Sequence, residues 1–267
     1  MDVENAMAVA AAVSAVGLAW NGADLWYPSR AFNAFFDWRI VGGAWAVPRR
    51  GGPRKWQRLL AGHAAVRVFV LTQVIGALTF VVAASTGRTL VALVAATSVF
   101  AALCLLQFRL VVGLDGSDQI QIILWATLAI LSVNGPPALS TIALAFLTAQ
   151  LVASYLVAGI AKLGASSWRS GEAVHAILAT RQYGLPIVRK LLRRKGIALT
   201  MAWSVIVFEV LGPLALLAGR TGTLGFLAAA LGFHLINWGV MGLRSFALAF
   251  PATYPLVFAF VDGWAWP

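Results

Sequence analysis

The sequence predicts an all-α protein, a polytopic transmembrane bundle. Of its 267 residues, 61% are hydrophobic and only 11% are charged, and the mean hydropathy is +0.85. This composition lies outside the range of ordinary soluble domains. The apolar residues form runs of about 20, the length that crosses a hydrocarbon core about 30 Å thick. Because a backbone inside a bilayer must satisfy its own hydrogen bonds, and the runs do not alternate, each run is predicted to be a helix.

About eight spans are predicted, with a range from about six to about nine. The first is rich in alanine and the fourth is short, while Ala31–Val47 would raise the number if it re-enters the membrane. The chain begins with Asp2 and Glu4 rather than with basic residues, so the first span is not predicted to be a cleaved signal peptide. The predicted spans are Ala6–Tyr27, Leu59–Ala84, Thr89–Gly113, Gln119–Val133, Ala138–Leu163, Ile197–Ala218, Gly222–Met241 and Ser245–Trp264.

The net charge of +11 is concentrated in two segments. Seven Lys or Arg residues lie between positions 30 and 58, and seven more lie between positions 169 and 195. With eight spans both segments fall on one side of the membrane. The positive-inside rule therefore predicts that loops 28–58 and 164–195 are cytoplasmic and that the protein is integral to the plasma membrane. Such loops are predicted to contact anionic lipid headgroups rather than nucleic acid.

The segment Leu185–Lys195 predicts a short helix that lies on the membrane surface. Its spacing puts Ile187, Leu191 and Leu192 on one face, and most of the remaining residues are basic. Elsewhere the chain holds a single cysteine, Cys104, so neither an intramolecular disulfide nor a thiolate metal site is predicted.

Polar side chains inside the apolar runs are candidate functional residues, because they are costly to insert. Tyr155, Gly159 and Lys162 are four and then three residues apart, so they share one helical face. Gly159 leaves room there for a close helix or a flat ligand. Two interpretations of Lys162 remain open. Its ammonium reaches the headgroups at the end of the span, or desolvation leaves a neutral amine that acts as a base.

A second set of polar residues lies in the sixth and seventh spans. Glu209 is the only carboxylate in the middle of a span, and Pro213 frees the carbonyl of Glu209 from its helical hydrogen bond. His234 and Asn237 are three residues apart and share a face. A contact between Glu209 and His234 would offset the cost of burying either, and both structural pairing and proton transfer are open interpretations.

Other acidic residues are predicted to have local roles. Asp118 is expected to cap the fourth helix, and Arg109 is expected to fold back onto Asp115 or Asp118. Glu172 and His175 form a Glu-x-x-His step of the kind that binds metal in di-iron bundles. Such a site needs a second copy and further carboxylates, and this chain has nine acidic residues and no second copy, so no metal is expected.

Four sequence blocks, in this order, resemble the HTTM superfamily, the membrane domain shared with vitamin K-dependent gamma-glutamyl carboxylase. The resemblance implies that residues 1–267 form one HTTM-like integral membrane domain of the small bacterial type, in the bacterial inner membrane, with no separate soluble domain. The blocks are FRLVVGLDGSDQIQIILW (Phe108–Trp125), YLVAGIAKLGASSWRSGEA (Tyr155–Ala173), the pair Phe208-Glu209, and FHLINWGVMGLRSF (Phe233–Phe246).

In the carboxylase that these blocks resemble, a lysine at the position of Lys162 is the candidate base that deprotonates reduced vitamin K. The resemblance therefore implies a quinone or quinol cofactor and quinol-dependent modification of a peptide or small substrate, with a partner protein supplying recognition. Two alternatives remain: a non-enzymatic maturation or assembly subunit, similar to an HTTM component of peptide-toxin production, or a lipid- or small-molecule-binding membrane protein. The implied catalytic residues are Lys162, Glu209 and His234, and the implied cofactor-binding residues are Tyr155, Gly159, Trp168 and Asn237.

Overall fold

The computed structural model describes residues 2–26, 63–107, 115–180, 185–192 and 195–263. These segments are helical and contain no strand, which confirms the all-α prediction. Within them, six stretches are long and apolar enough to cross a membrane, by length and composition. That number lies at the lower limit of the predicted range and confirms a polytopic helical bundle. The predicted re-entrant segment Ala31–Val47 and the predicted contact of Arg109 lie outside the described residues.

The helices follow the predicted spans closely. The short fourth span is a 16-residue helix, which is not among the six candidate stretches. In chain order the helices are α1 Val3–Trp26, α2 His63–Ser85, α3 Thr89–Gln107, α4 Gly116–Leu131, α5 Pro137–Gly164, α6 Ser166–Arg169, α7 Glu172–Ala179, α8 Pro186–Leu191, α9 Lys195–Leu211, the 3-10 helix Gly212–Ala218, α10 Gly219–Met241 and α11 Arg244–Gly263.

The chain divides into two compact units, residues 2–143 and residues 144–267. The boundary falls within α5. The single membrane domain that the resemblance implies for residues 1–267 stays a prediction. The polar residues that form the candidate site all belong to the second unit, here called the C-terminal unit.

A buried hydrogen-bonded cluster joins α1 to α4 in the first unit. The Ser14 hydroxyl donates to Gln121 Oε1 at 2.8 Å, and Trp125 Nε1 donates to Ser14 Oγ at 2.9 Å. Phe80 of α2 packs edge-on against Trp125, with ring centroids 5.6 Å apart. Because buried polar groups must be paired in an apolar interior, this cluster fixes how the helices of the unit align.

The N-terminus of α4 is capped by Asp115, so the prediction that Asp118 caps this helix is wrong. Asp115 Oδ1 accepts hydrogen bonds from the backbone N–H groups of Ser117 at 2.8 Å and Asp118 at 3.0 Å. The helix begins at Gly116, three residues earlier than the predicted span, and the capping position moves with it. Asp118 therefore lies in the first turn of the helix.

The C-terminal unit contains a helical hairpin formed by α9 and α10. Phe208 and Phe233 are 25 residues apart, yet their ring centroids are 5.3 Å apart. A continuous helix would separate them by about 37 Å, so the chain reverses at the 3-10 helix Gly212–Ala218. Pro213 lies in that 3-10 helix and cannot donate to the carbonyl of Glu209, as the sequence predicts. The 46-residue apolar stretch 196–241 is thus two antiparallel helices.

Short helices pack against one end of α9. Gly171 has a φ of 80°, and a Cβ atom there would lie 2.8 Å from the backbone nitrogen of Leu199, so only glycine fits this contact. The predicted surface helix is α8, in which Ile187 and Leu191 are 67% and 53% exposed. Leu192, predicted on the same apolar face, is instead buried. It packs in an apolar cluster with Val174, Leu178, Ala198 and Ala202.

We expect Asp118→Asn to remove a pH dependence of stability. Burial raises the pKa of Asp118 to about 6, and the negative charge of Asp115 adds to this effect, while a hydrogen bond from the Gln107 side chain opposes it. Between the ordinary value of 3.8 and about 6, the folded protein binds more protons than the unfolded chain, so stability falls as pH rises through this window. The amide cannot ionise, and the variant should lack this fall.

The measurement is the unfolding temperature in detergent at a series of pH values across that window. Glu4→Gln, which removes an exposed carboxylate from α1, is the control and should keep the fall seen in the unchanged protein. An equally steep fall in Asp118→Asn would contradict the prediction.

Candidate functional site

Lys162 of α5 and Glu209 of α9 form an ion pair in the C-terminal unit. Lys162 Nζ donates to Glu209 Oε1 at 2.8 Å and to Oε2 at 2.6 Å, so one ammonium contacts both carboxylate oxygens. The glutamate side chain is 6% exposed and the lysine side chain 20% exposed. Removing one member would leave a buried, uncompensated charge, which costs about 3–5 kcal/mol in comparable cases. The two charges therefore depend on each other.

Gly159 lets the two helices approach closely enough for this pair. A Cβ atom at Gly159 would lie 2.9 Å from Glu209 Cβ and 3.0 Å from the backbone nitrogen of Val210. Of the two occupants predicted beside Gly159, a close helix and a flat ligand, the structure shows the helix. A role for Gly159 in cofactor binding stays a prediction.

Trp168 lies beside the pair because the end of α5 is tied to the following turn. The ammonium of Lys162 lies 5.2 Å from the centroid of the Trp168 ring, within cation–π distance. Arg169 Nη1 donates to the carbonyl oxygens of Leu163 at 2.7 Å and Gly164 at 2.8 Å, which have no partner within the helix. Trp203 Nε1 donates to the carbonyl of Arg169 at 3.3 Å, so α6 is held against α9.

A second polar group, the tyrosine–histidine chain, lies about two turns before Lys162 on α5. It consists of Tyr254 of α11, Tyr155 of α5 and His234 of α10. The Tyr155 hydroxyl lies 2.8 Å from His234 Nε2 and 3.2 Å from the Tyr254 hydroxyl. All three side chains are buried. Tyr155 is seven residues before Lys162, about 10.5 Å along the helix axis.

Phenylalanine rings surround this chain. Tyr155 packs edge-on against Phe208, Phe226 and Phe250, with centroids 5.3–5.9 Å apart. His234 lies 4.6 Å from Phe250 by the same measure. The rings exclude water, which strengthens the hydrogen bonds inside and makes any unpaired polar atom costly.

The predicted contact between Glu209 and His234 is wrong. Glu209 pairs with Lys162 instead, and His234 pairs with Tyr155. The prediction failed because α5 supplies a partner to each residue, and a lysine ammonium compensates a buried carboxylate better than an imidazole that already has a hydroxyl partner. Lys162 is likewise paired with Glu209, and both interpretations of Lys162, contact with the headgroups and action as a base, stay predictions.

The remaining predicted residues lie outside these contacts. Asn237 is partly buried on α10 and makes no side-chain hydrogen bond to the described residues. Glu172 and His175 are exposed on α7. Across the described segments, no group of three or more His, Cys, Asp or Glu side chains is placed to hold a metal ion.

Two residues that contact the candidate site, Tyr254 and Arg169, were not predicted from the sequence. Tyr254 was not predicted because it lies in the last apolar run, where a tyrosine is most simply explained as a packing residue. Its position between Pro251 and Pro255, and the fact that the chain has only four tyrosines, could have drawn attention to it. Arg169 was counted only as a loop charge, although its carbonyl contacts hold Trp168 near Lys162.

The apolar helices and the polar groups buried between them define an integral helical membrane protein with a charged pair inside one of its units. The family model of the HTTM domain matches residues 134–263. Residues 134–263 are therefore similar to the HTTM domain, and both polar groups lie within that range. No curated protein and no solved structure matches the chain.

Gly159→Ala is expected to destabilise the C-terminal unit by about 1–3 kcal/mol, the usual cost of overpacking. The added methyl would meet Glu209 Cβ and the backbone of α9, so the helices must separate and stretch the ion pair. The measurement is the free energy of unfolding in detergent. Gly164→Ala is the matched control on the same helix, because a Cβ atom there meets nothing within 4 Å. Equal stability of the two variants would contradict the close approach.

Proposed function

We propose that this HTTM-domain protein is a membrane enzyme in which the Lys162–Glu209 pair accepts a proton from a quinol. The proposed reaction is a quinol-dependent modification of a peptide or small substrate. The observation that carries this proposal is the ammonium held by both carboxylate oxygens within an apolar unit, with one fifth of the lysine side chain exposed. Buried ion pairs contribute little net stability, so a pair held inside an apolar unit is a candidate for chemistry as well as for fixing the register of two helices.

The pair acts as one base. The ammonium proton of Lys162 passes to Glu209 across the 2.6 Å contact, which leaves a neutral amine and a neutral carboxylic acid. A low-dielectric interior favours this exchange, because it removes two charges from an apolar medium. The amine then accepts a hydroxyl proton and becomes an ammonium again. Overall one proton arrives at Glu209, and only O–H and N–H bonds form or break.

The side chains near Lys162 fit a flat, hydroxyl-bearing ring. Trp168 offers an aromatic face 5.2 Å from the ammonium, and the lysine is partly open beside it. When bound, a quinol would supply reducing electrons for reaction with oxygen. Contacts of Tyr155 and Asn237 with this molecule, which the resemblance implies, stay predictions.

An apolar cavity of about 310 Å³ lies elsewhere in the C-terminal unit. It is large enough for a ring-sized molecule, but neither Lys162 nor His234 lines it. We therefore assign the reacting group to the side of Lys162 and Trp168, where the proton acceptor lies. The cavity suits an acyl or isoprenoid chain better than a reacting ring, because its walls are almost entirely hydrocarbon.

The test is the double variant Lys162→Met/Glu209→Gln, which removes both charges and leaves neither unpaired. We expect quinol-dependent oxygen uptake by the purified, reconstituted protein to fall by about 10²–10⁴-fold, the usual contribution of a general base. Reduced menadione serves as the quinol.

The matched control is Arg220→Met/Asp262→Asn, which removes an ion pair from the same unit at a longer distance of 3.6 Å and with greater exposure. It should keep the activity. A wild-type rate in the folded Lys162/Glu209 double variant would rule out the proposed chemistry, as would the absence of quinol-dependent uptake in the unchanged protein.

A second candidate function, contact with lipid, is favoured by α8. Ile187 and Leu191 are four residues apart and largely exposed, and Lys190 between them is exposed as well. Leu192 anchors the segment in the apolar cluster beneath. Exposed apolar and basic side chains on one short helix suit the surface of a membrane that contains anionic lipid. This candidate includes the non-enzymatic alternatives, in which the protein binds lipid or assists a partner.

The lipid contact is tested by a bimane label at Ile187→Cys in a Cys104→Ser background. Brominated phosphatidylglycerol should quench the label more strongly than brominated phosphatidylcholine, because the basic segment attracts the anionic lipid. A label at Glu172→Cys, which is exposed on α7, is the control. Equal quenching at both positions, or by both lipids, would contradict a specific contact of α8.

A further inference from the structure

An open apolar groove of about 630 Å³ runs between α2 and α3 in the first unit. This volume falls in the range of ligand sites, about 300–1,000 Å³. Gly76 lines the groove, and the two helices touch there, since a Cβ atom at Gly76 would lie 2.7 Å from Val99 Cγ2. The large side chains along its walls are 45–72% exposed, namely Leu71, Ile75, Leu90 and Val94.

The walls offer little to a polar ligand. The Thr72 hydroxyl donates to the carbonyl of Val68 at 2.9 Å, so it is used within its own helix. The Ser98 hydroxyl donates in the same way to the carbonyl of Val94 at 2.7 Å. Among the lining residues only Thr79 adds a further hydroxyl. The ligand that fits these walls is therefore a hydrocarbon chain.

A positive charge lies at one end of the groove, in the turn between α2 and α3. Gly87 has a φ of 68° and closes the turn, in which the Arg88 backbone nitrogen donates to the carbonyl of Ala83 at 2.9 Å. The Arg88 carbonyl accepts from the backbone nitrogen of Ala92 at 3.0 Å, so Arg88 shares a helical face with Val91, which lines the groove. Arg88 is exposed and makes no ion pair with another described residue.

The groove is long enough for an acyl chain. On α2 it extends from Val68 to Thr79, about 16 Å, and on α3 from Leu90 to Ser98, about 12 Å. Both helices are long and apolar enough to cross a membrane. One leaflet of the hydrocarbon core is about 15 Å thick, half of about 30 Å. A chain whose headgroup lies at Arg88 can therefore follow the groove through the leaflet.

We propose that this groove binds one anionic phospholipid, with an acyl chain between α2 and α3 and the phosphate beside Arg88. The walls select hydrocarbon, and the guanidinium selects a headgroup with net negative charge. The site goes beyond the proposed function, since it requires no reaction at Lys162. It also lies outside the two basic segments, residues 30–58 and 169–195, for which lipid contact is predicted from charge alone.

The headgroup preference is tested with a bimane label at Ile75→Cys in the full-length Cys104→Ser protein, reconstituted in mixtures of brominated and unbrominated lipid. The label should report about fivefold stronger binding of phosphatidylglycerol than of phosphatidylcholine, the equivalent of about 1 kcal/mol for one charge near the surface. Leu78→Cys is the matched control, because Leu78 and Ile75 are 57% and 59% exposed on the same helix and Leu78 does not line the groove. It should report no preference.

Variants of Arg88 test the source of the preference. Arg88→Gln should abolish the preference at Ile75, whereas Arg88→Lys should keep most of it. Arg220→Gln, which removes an exposed arginine at another turn, should leave it unchanged. Because Arg88 lies at an exposed turn, these variants do not disturb the packing between α2 and α3.

Ser98→Trp tests the groove itself. The indole should fill the space between the helices and lower quenching at Ile75 by both lipids at least about tenfold, because the acyl chain is excluded. Thr97→Trp is the matched control. Thr97 is exposed, its hydroxyl is likewise bonded to its own helix, and it does not line the groove.

Three outcomes would overturn the proposal. The first is equal headgroup preference at Ile75 and Leu78, and the second is a preference that survives Arg88→Gln. The third is weak quenching by both lipids at Ile75 in the otherwise unchanged protein, which a second copy seated in the groove would cause. None of these measurements involves turnover, so they stand or fail separately from the Lys162/Glu209 activity measurement.

Discussion

The ion pair between Lys162 and Glu209 is the interaction on which the arrangement of the C-terminal unit depends. An apolar unit tolerates a nearly buried carboxylate only if a cation compensates it, so α5 and α9 must meet at one register. Gly159 permits that meeting because it has no side chain at the contact. The turn after α5 then adds Trp168 and Arg169 around the lysine, which joins the pair to the short helices.

The face of α5 that carries Lys162 holds polar groups at two levels. One level is ionic and partly open, and the other is an uncharged hydrogen-bonded chain closed in by phenylalanine rings. This separation is physically reasonable. The partly exposed ion pair keeps some contact with its surroundings, whereas the hydrogen bonds of the uncharged chain are strongest where water is excluded. One helix thus carries two different kinds of polar contact about two turns apart.

Local patterns in the sequence predicted most of the helices and much of the site. Hydropathy placed the spans, and helical spacing put Tyr155, Gly159 and Lys162 on one face, because both signals act within a few residues. The partner of Glu209 could not be predicted in this way, since it depends on packing between distant helices. The cap of α4 was misplaced because Asp115 and Asp118 are both good capping residues, and only the true start of the helix distinguishes them.

The reversal at Gly212–Ala218 also bears on how the protein is assembled. The hairpin of α9 and α10 forms from contacts that are near in sequence, so it can form early. Lys162 is synthesised 47 residues before Glu209 and has no access to that carboxylate until the hairpin emerges. Docking of the hairpin on α5 is then the step at which both charges become neutralised. Completion of the C-terminal unit in the membrane is thereby linked to the formation of its buried ion pair.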